Sequence, residues 1–255
     1  MAERDTPLLA VLIDADNTSP KAAKAIFVEI ATLGEAAVRR LYGDFSSPRM
    51  KGWLDTTASL AIVPHQQSAN TTGKNASDIA LVIDAMDLLH SNRFDGFVLV
   101  SSDSDFTRLA SRIREQGLDV YGIGERKTPD AFRNACKRFI FIENLQASAE
   151  RQDTGEATLD NTSKQMPMEA IPLIEAAISA LGEESDWHQL GRLGQQLIAN
   201  HPDFDSRNFG SGNLSGLLKR IDRYEVDLKS SPARMRKRPA DQSSSRQPAN
   251  KAKKT

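Results

Sequence analysis

The chain has 255 residues, of which 39% are hydrophobic and 26% are charged, and its formal net charge at pH 7 is −1. This composition supports a packed core and one or two domains, whereas no apolar run reaches the roughly 18 residues that span a bilayer, so no membrane partner is expected. The N-terminal segment lacks a long apolar signal region, and the single cysteine, Cys136, excludes an internal disulfide and a cysteine-based zinc site, so we expect a cytoplasmic protein.

The first part of the chain predicts alternating strands and helices. Short apolar runs alternate with amphipathic stretches between Leu8 and Leu145, which is typical of βαβ units that build a parallel sheet. The expected strands are residues 8–13, 37–42, 60–63, 96–101, 118–123 and 138–142, and the expected helices are residues 20–33, 49–58, 77–91, 105–116 and 129–135. We therefore predict an α/β fold, in which residues 7–146 form a three-layer domain with a mostly parallel sheet.

Two pairs of aspartates directly follow two of these strands. They are Asp14 and Asp16 after the first strand, and Asp103 and Asp105 after the fourth. Ligands of open α/β sheets bind outside the carboxyl ends of the strands, so these carboxylates are expected to share a cleft. Crowded carboxylates repel one another, and a hard divalent cation such as Mg²⁺ or Mn²⁺ relieves that repulsion. The alternative is that Asp16 and Asp105 only cap the helices that follow them.

The predicted helix over residues 77–91 offers a further carboxylate. Asp78 lies at its start, where Ser77 or Asp78 would be the cap, and it is expected to face the carboxyl edge of the sheet. Asp84 lies six residues later, about 120° further round the helix, so the two cannot both point into one cleft. Asp84 is expected either to support the site from behind or to pair with a basic group on the helix surface. Lys74 could neutralise a phosphate or be an ordinary loop lysine.

The remainder of the chain divides by composition. Residues 147–168 are polar and aperiodic, which predicts a flexible linker. Residues 169–229 have helical periodicity and predict a small helical domain. Residues 230–255 carry eight basic side chains and one acidic side chain among almost no apolar residues. This composition predicts a disordered basic tail, which would either attract phosphate backbones or only keep the protein soluble.

Four segments of the first part resemble a known family. In chain order, IDADN, GKNASDIALVIDAMD, LVSSDSDF and GIGERKTPDAFRNACKRFIFIENL resemble the NYN domain of the LabA-like group, within the PIN-like nuclease superfamily. The resemblance covers roughly residues 7–146 and implies a PIN-like, Rossmann-like fold with a metal-dependent ribonuclease site. The residues that match the family's site are Asp14, Asn17, Asp78, Asp103 and Asp105.

The second periodic region also resembles a known module. WHQLGRLGQQLIANHPDFDSRNFGSGNLSGLLKRI is similar to the OST-HTH, or LOTUS, module, a winged-helix-like domain associated with RNA binding. The matching residues are packing positions, namely Trp187, Leu190, Leu193, Leu197, Phe204, Phe209, Leu214, Leu217 and Leu218. Asn213 is expected at a helix N-terminus, where backbone N–H groups could bind an anion. Because residues 169–229 carry a net charge of −4, a protein is the alternative partner to RNA.

These features together predict a ribonuclease that cleaves RNA, with single-stranded RNA as the favoured substrate. The expected ligands of Mg²⁺ or Mn²⁺ are Asp14, Asp78, Asp103 and, for a second ion, Asp105. Asn17 is expected to position a water molecule or the scissile phosphate. The residues expected to support these ligands or to bind phosphate are Lys74, Asp84 and Ser102.

Two other functions stay open at this point. Asp14 to Thr18 also satisfies the DxDxT pattern of haloacid-dehalogenase-like phosphatases, in which Asp14 would be the nucleophile and Asp16 the general acid. Asp78 would then have no task. The other alternative is an RNA-binding adaptor with little or no activity, because an intact set of carboxylates does not establish turnover.

Overall fold

The computed structural model describes residues 5–46, 50–67, 76–154, 165–182 and 185–239. The chain forms two compact units, one built by the first 159 residues together with residues 201–203, and the other by the remaining residues. No helix in these described ranges is long and apolar enough to cross a membrane.

The first unit is a parallel sheet flanked by helices. Its strands are β1 (Leu8–Asp14), β2 (Glu35–Gly43), β3 (Val63–Gln66), β4 (Gly96–Val100), β5 (Asp119–Gly124) and β6 (Arg138–Phe141). Its helices are α1 (Ala23–Ile30), α2 (Lys51–Leu60), α3 (Ala76–His90), α4 (Thr107–Glu115), α5 (Asp130–Ala135) and α6 (Ile142–Thr154), with single 3₁₀ turns at Pro20–Ala22 and Ser104–Phe106. All neighbouring strands are parallel, in the order β3-β2-β1-β4-β5-β6.

The sheet has a separate hydrophobic core on each face, because successive side chains of a strand point to opposite faces. Along β1, Leu9, Val11 and Ile13 pack on one face, in a core that includes residues of α1 and α2. Ala10 and Leu12 pack on the other face, in a core that includes residues of α3 and α4. All five side chains are fully buried. The structure confirms the predicted α/β fold of three layers.

The strand order places the predicted site at a reversal of the chain. From β1 the chain moves outward to β2 and β3, and it then returns to β4, which lies on the other side of β1. In the register between these two central strands, Ile13 is opposite Val100. The segments that follow β1 and β4 therefore leave the sheet side by side, at the point where open α/β sheets bind ligands.

Two boundaries of this unit differ from the prediction. The third strand was expected at residues 60–63, but α2 continues to Leu60 and ends at Ala61, which has a left-handed φ of 51°. Leu60 packs against the core as a helical residue, so its apolar character does not mark a strand. Residues 147–154 were expected in a linker, but they extend α6. Alanine, glutamate, arginine and glutamine favour helix continuation after Leu145 has anchored the helix in the core.

The second unit combines helices with a small antiparallel sheet. Its helices are α7 (Ile171–Leu181), α8 (Leu190–Asn200) and α9 (Leu214–Arg220), with 3₁₀ turns at Pro167–Ala170 and Ser206–Phe209. Its strands are β7 (His188–Gln189), β8 (Tyr224–Asp227) and β9 (Arg234–Lys237), in the order β7-β9-β8. Its core includes Ile174, Leu193, Leu197, Leu217, Leu218, Tyr224 and Met235. This arrangement agrees with the predicted winged-helix-like domain.

The predicted disordered tail is wrong for its first ten residues. Residues 230–255 were expected to be disordered, yet β9 lies within them and pairs with both β7 and β8. Met235 in this strand is 0% exposed and belongs to the core. A strand of four residues with one apolar side chain gives almost no periodic signal in the sequence. Residues 155–164 of the predicted linker and residues 240–255 of the predicted tail lie outside the described residues.

Candidate active site

Asp14, the last residue of β1, is a buried carboxylate held by four hydrogen bonds. Its Oδ1 accepts the backbone N–H groups of Asp16 and Asn17 at 3.1 and 3.2 Å. Its Oδ2 accepts the side-chain amide of Asn17 at 2.8 Å and the hydroxyl of Ser101 at 2.7 Å. Burial raises the pKa of Asp14 above its ordinary value, and these hydrogen bonds partly lower it again. The side chain is therefore fixed in position at the carboxyl end of the central strand.

Ser101 connects the carboxylates of the two central strands. Besides donating to Asp14, its Oγ accepts the backbone N–H of Asp103 at 3.1 Å. Its own backbone N–H donates to the carbonyl of Ile123 in β5 at 3.0 Å. A side chain at Gly124 would place its Cβ 2.5 Å from the carbonyl oxygen of Ser101, so the close approach of β5 requires glycine there. Ser101 thus sets the position of Asp103 relative to Asp14.

The capping roles fall on different aspartates from those expected. The Asp103 carboxylate accepts the backbone N–H of Asp105 at 2.9 Å and caps the 3₁₀ turn Ser104–Phe106. Asp14 accepts two backbone N–H groups in the same way, as described above. Asp16 instead accepts the hydroxyl of Ser77 at 2.9 Å. The alternative in which Asp16 and Asp105 act as caps is therefore wrong, because the residue that ends each strand is in the position to close the turn.

Asp78 faces this group of carboxylates from the first turn of α3. The helix begins at Ala76, so Ser77 and Asp78 lie inside it and neither is its cap. Burial, followed by the charges of four aspartates, raises the pKa of Asp78 from 3.8 to about 6. These four aspartates are Asp14, Asp103, Asp16 and Asp105, in decreasing order of effect. The structure therefore brings all the predicted carboxylates into one electrostatic environment at one edge of the sheet.

The donor set suits a hard divalent cation in its chemistry, but it is not a closed cage. Carboxylate oxygens are the ligands that Mg²⁺ and Mn²⁺ prefer, and the high pKa of Asp78 shows that the site carries more negative charge than it can balance. Among the residues that the structure describes, no three acidic, histidine or cysteine side chains are close enough together to hold a metal ion. The predicted metal ligands share a site without converging on a single point.

Asp84 lies in a different cluster, as its position on the helix requires. Its Oδ2 accepts Nη1 of Arg40 at 2.8 Å and the hydroxyl of Tyr42 at 2.7 Å. His65 on β3 approaches the same oxygen at 3.4 Å and stacks against Tyr42. Burial and the charge of Asp84 raise the pKa of the Tyr42 hydroxyl, whereas burial lowers the pKa of His65. Asp84 therefore pairs with a basic group and fastens α3 to β2, which is one of the two roles expected for it.

The other two supporting residues have different outcomes. The hydroxyl of Ser102 accepts the backbone N–H of Glu125 at 2.8 Å, and the side chain is buried. Ser102 therefore ties the segment after β4 to the end of β5 rather than presenting a donor to solvent. Lys74 lies outside the described residues.

A cleft of about 370 Å³ opens beside Asp16 at the same edge of the sheet. It is lined by Ala15, Asp16, Asn17, Thr18, Ser19, Pro20, Met50, Trp53, Glu125 and Lys127. The buried indole of Trp53 donates to the carbonyl of Thr18 at 3.1 Å, and Lys127 pairs with Glu125 at 2.8 Å. The sequence reasoning did not include Lys127, although it follows the carboxyl end of β5 and so satisfies the rule that selected the aspartates.

Comparison with known families decides the nature of the first unit. A family model described as the NYN domain matches residues 8–143. The chain belongs to the NYN domain family. NYN domains are part of the PIN-like nuclease superfamily, whose members generally use divalent metals. The match includes the segment from Asp14 to Thr18, so it assigns this segment to a nuclease-like domain and not to a phosphatase.

A second family model, described as the OST-HTH/LOTUS domain, matches residues 164–234. This NYN protein is therefore RNase-like and carries an RNA-binding module. Among solved structures, a protein of unknown function from Vibrio parahaemolyticus RIMD 2210633 is similar, with 19% sequence identity and a TM-score of 0.48. That similarity covers 57% of this chain and 98% of the other. A comparison with curated proteins finds no match.

The expected anion site of the OST-HTH/LOTUS module is occupied by the module's own cap. Asn213 precedes α9, and its Oδ1 accepts the backbone N–H of Gly216 at 2.8 Å and the hydroxyl of Ser215 at 2.9 Å. The side-chain oxygen therefore takes the role that an anion would have had at this short helix. The prediction of an anion site at Asn213 is wrong because asparagine satisfies the helix end itself.

Proposed function

We propose that the NYN domain is a metal-dependent ribonuclease that cleaves single-stranded RNA. The observation that carries this proposal is the hydrogen-bonded connection from Asp14 through Ser101 to Asp103, with Asp78 opposite in the same electrostatic environment. Crowding carboxylates in this way raises the free energy of the folded protein. A cationic ligand offsets that cost, and phosphodiester hydrolysis is a reaction that such a ligand can promote.

Asp14, Asp78 and Asp103 would hold Mg²⁺ or Mn²⁺, and Asp105 would bind a second ion directly or through water. Such an ion, when bound, polarises a phosphoryl oxygen and lowers the pKa of bound water. The chain's own residues keep the ligands in place. Asn17 donates its amide to Asp14 and Ser101 fixes the spacing between Asp14 and Asp103, so the site needs little rearrangement around its substrate.

The cleft beside Asp16 would receive the RNA strand next to the scissile phosphate. Its volume of about 370 Å³ is within the usual range of small-molecule sites, so it suits one nucleotide rather than a duplex. Lys127 is largely exposed, and it could exchange its pairing with Glu125 for a phosphate at modest cost because exposed ion pairs contribute little stability. The same cleft places the strand against Asn17, the residue expected to position phosphate or water.

Incubation with labelled single-stranded RNA, in Mn²⁺, in Mg²⁺ and in chelator, tests this proposal. We expect cleavage with metal only, and its loss in Asp14→Asn with cooperative unfolding retained. Asp87→Asn is the matched control, since Asp87 lies on the exposed face of α3. Unchanged metal-dependent cleavage by Asp14→Asn would remove the assignment of this site.

An RNA-binding adaptor is the second candidate function. It is favoured by the absence, within the described ranges, of side chains already arranged around a metal ion. The same experiment separates the two candidates, because an adaptor would bind the labelled RNA with equal affinity in metal and in chelator and would leave it intact.

A further inference from the structure

The OST-HTH/LOTUS module carries an exposed cluster of one tryptophan and two arginines. The guanidinium carbons of Arg234 and Arg236 lie 4.7 and 4.6 Å from the ring centre of Trp187, which is within cation–π distance. Both arginines belong to β9, in which Met235 points into the core. Because side chains alternate along a strand, Arg234 and Arg236 share the opposite face of the sheet. We name these three residues the Trp187 cluster.

Neighbouring carboxylates hold the two guanidinium groups in place. Nε and Nη2 of Arg234 both lie 3.2 Å from Oδ2 of Asp227. Nε and Nη2 of Arg236 both lie 2.8 Å from Oε2 of Glu225. The arginine side chains keep 45% and 33% of their surface exposed, so these pairs contribute little to stability. Their effect is to orient two flat cations beside a partly exposed indole ring.

We infer that the Trp187 cluster is a stacking platform for the bases of single-stranded RNA. This inference deepens the proposed function, on which it rests, by assigning the part of the module that contacts RNA. Unpaired bases stack on aromatic rings and on guanidinium planes, and such stacking tolerates any base sequence. The Trp187 cluster presents both surfaces together, already oriented.

The charge of the surrounding segment supports RNA over an acidic or apolar protein surface. β9 and Arg238 add four positive charges to the net −4 of residues 169–229, so the module is neutral once this strand is included. Arg238 donates to the carbonyl of Tyr224, at the start of β8. Residues 240–255 continue the sequence with four basic side chains and one acidic side chain. The cluster therefore stands where the chain changes from acidic to basic, and phosphates beside a stacked base would find cations on the same strand.

Intrinsic fluorescence provides a direct test, because the chain has two tryptophans and Trp53 is only 1% exposed. Unlabelled oligouridine is added to the full chain carrying Asp14→Asn, in chelator, so that cleavage plays no part. We expect base stacking to quench the exposed tryptophan, whereas inorganic polyphosphate, which has charge but no bases, should not quench it. Equal quenching by polyphosphate, or no quenching by RNA that binds, would overturn the inference.

Affinity for labelled oligouridine, measured by anisotropy under the same conditions, tests the individual residues. We expect Trp187→Ala to weaken binding by about tenfold or more, and Trp187→Phe to retain most of the affinity, because a phenyl ring still stacks. Arg234→Gln with Arg236→Gln should also weaken binding. The matched control is Arg223→Gln, which removes an exposed cation that pairs with Glu175 in the same module.

Two outcomes of the anisotropy measurement would contradict the inference. If Trp187→Ala binds RNA as the parent does, the cluster is not the platform, and a protein would be its partner. If the Arg223→Gln control weakens binding as much as the Arg234 and Arg236 pair does, the module attracts RNA by charge alone. Neither outcome bears on cleavage, which is measured with metal and depends on Asp14, so failure of the two proposals can be told apart.

Discussion

Substitution of Asp78 by asparagine is expected to stabilise the NYN domain at neutral pH and to have little effect in acid. Burial and the surrounding aspartates raise the pKa of Asp78 from 3.8 to about 6. The folded state therefore holds this proton more tightly than the unfolded state does, so its stability falls as the pH rises from about 4 to about 6. At about 1.36 kcal/mol for each unit of pKa, the full difference is about 3 kcal/mol.

Two effects reduce the gain that the substitution should give. Asp78 is partly exposed, so water screens the charges around it, and the N-terminus of α3 favours a negative charge by about 0.3–1 kcal/mol. We therefore expect Asp78→Asn to raise the free energy of unfolding by about 1–2 kcal/mol at about pH 7.5, and by almost nothing at about pH 4.

Urea unfolding followed by far-UV circular dichroism, in chelator at both pH values, measures this difference. Asp87→Asn removes a carboxylate from the exposed face of the same helix and should leave stability nearly unchanged at both values. The electrostatic reasoning is refuted if Asp78→Asn gives the same gain in acid as at neutral pH, or if the Asp87→Asn control gives the same gain as Asp78→Asn.

Three further predictions follow from the site and from β9. Ser101→Ala removes a buried hydrogen bond to Asp14 and should cost about 1–3 kcal/mol of stability and most RNA cleavage, checked by urea unfolding and gel assay. Asp16→Asn should keep most RNA cleavage, since Asp16 accepts a hydroxyl from α3 and is not an assigned ligand. Deleting 240–255 should weaken RNA binding and flatten its salt dependence by about 0.7 per lost phosphate contact, whereas deleting 230–255 should also unfold the module, as thermal melts would show.

The sequence was sufficient to predict the sheet and the edge that bears the site. The strands that become β1 and β4 are continuous apolar runs, because both faces of a parallel strand are buried, and each run ends at a carboxylate. Asp84 could likewise be separated from Asp78, since the helical repeat alone puts them on different faces. These inferences succeed because they depend on periods that hold over many residues.

The remaining details depend on contacts between segments that are distant in the sequence. Ser101 connects Asp14 to Asp103 because β4 lies beside β1, and no local pattern reports that pairing. Arg40 and Tyr42 are the partners of Asp84 for the same reason. β9 was missed because its stability comes from pairing with β7 and β8 and from one buried residue, Met235, while its other side chains have the composition of a solvated tail.

The two halves of the carboxylate site rest on parts of the fold that differ in how readily they open. Asp14 ends a strand that is hydrogen-bonded on both sides in the middle of the sheet, where backbone amides exchange with solvent only when the whole domain unfolds. Asp78 lies in the first turn of a surface helix in which Ile79 and Ile83 are more than half exposed. Ligand binding should therefore slow amide exchange in α3 and leave that of β1 unchanged, so the helix adapts to the ligand while the strand holds its place.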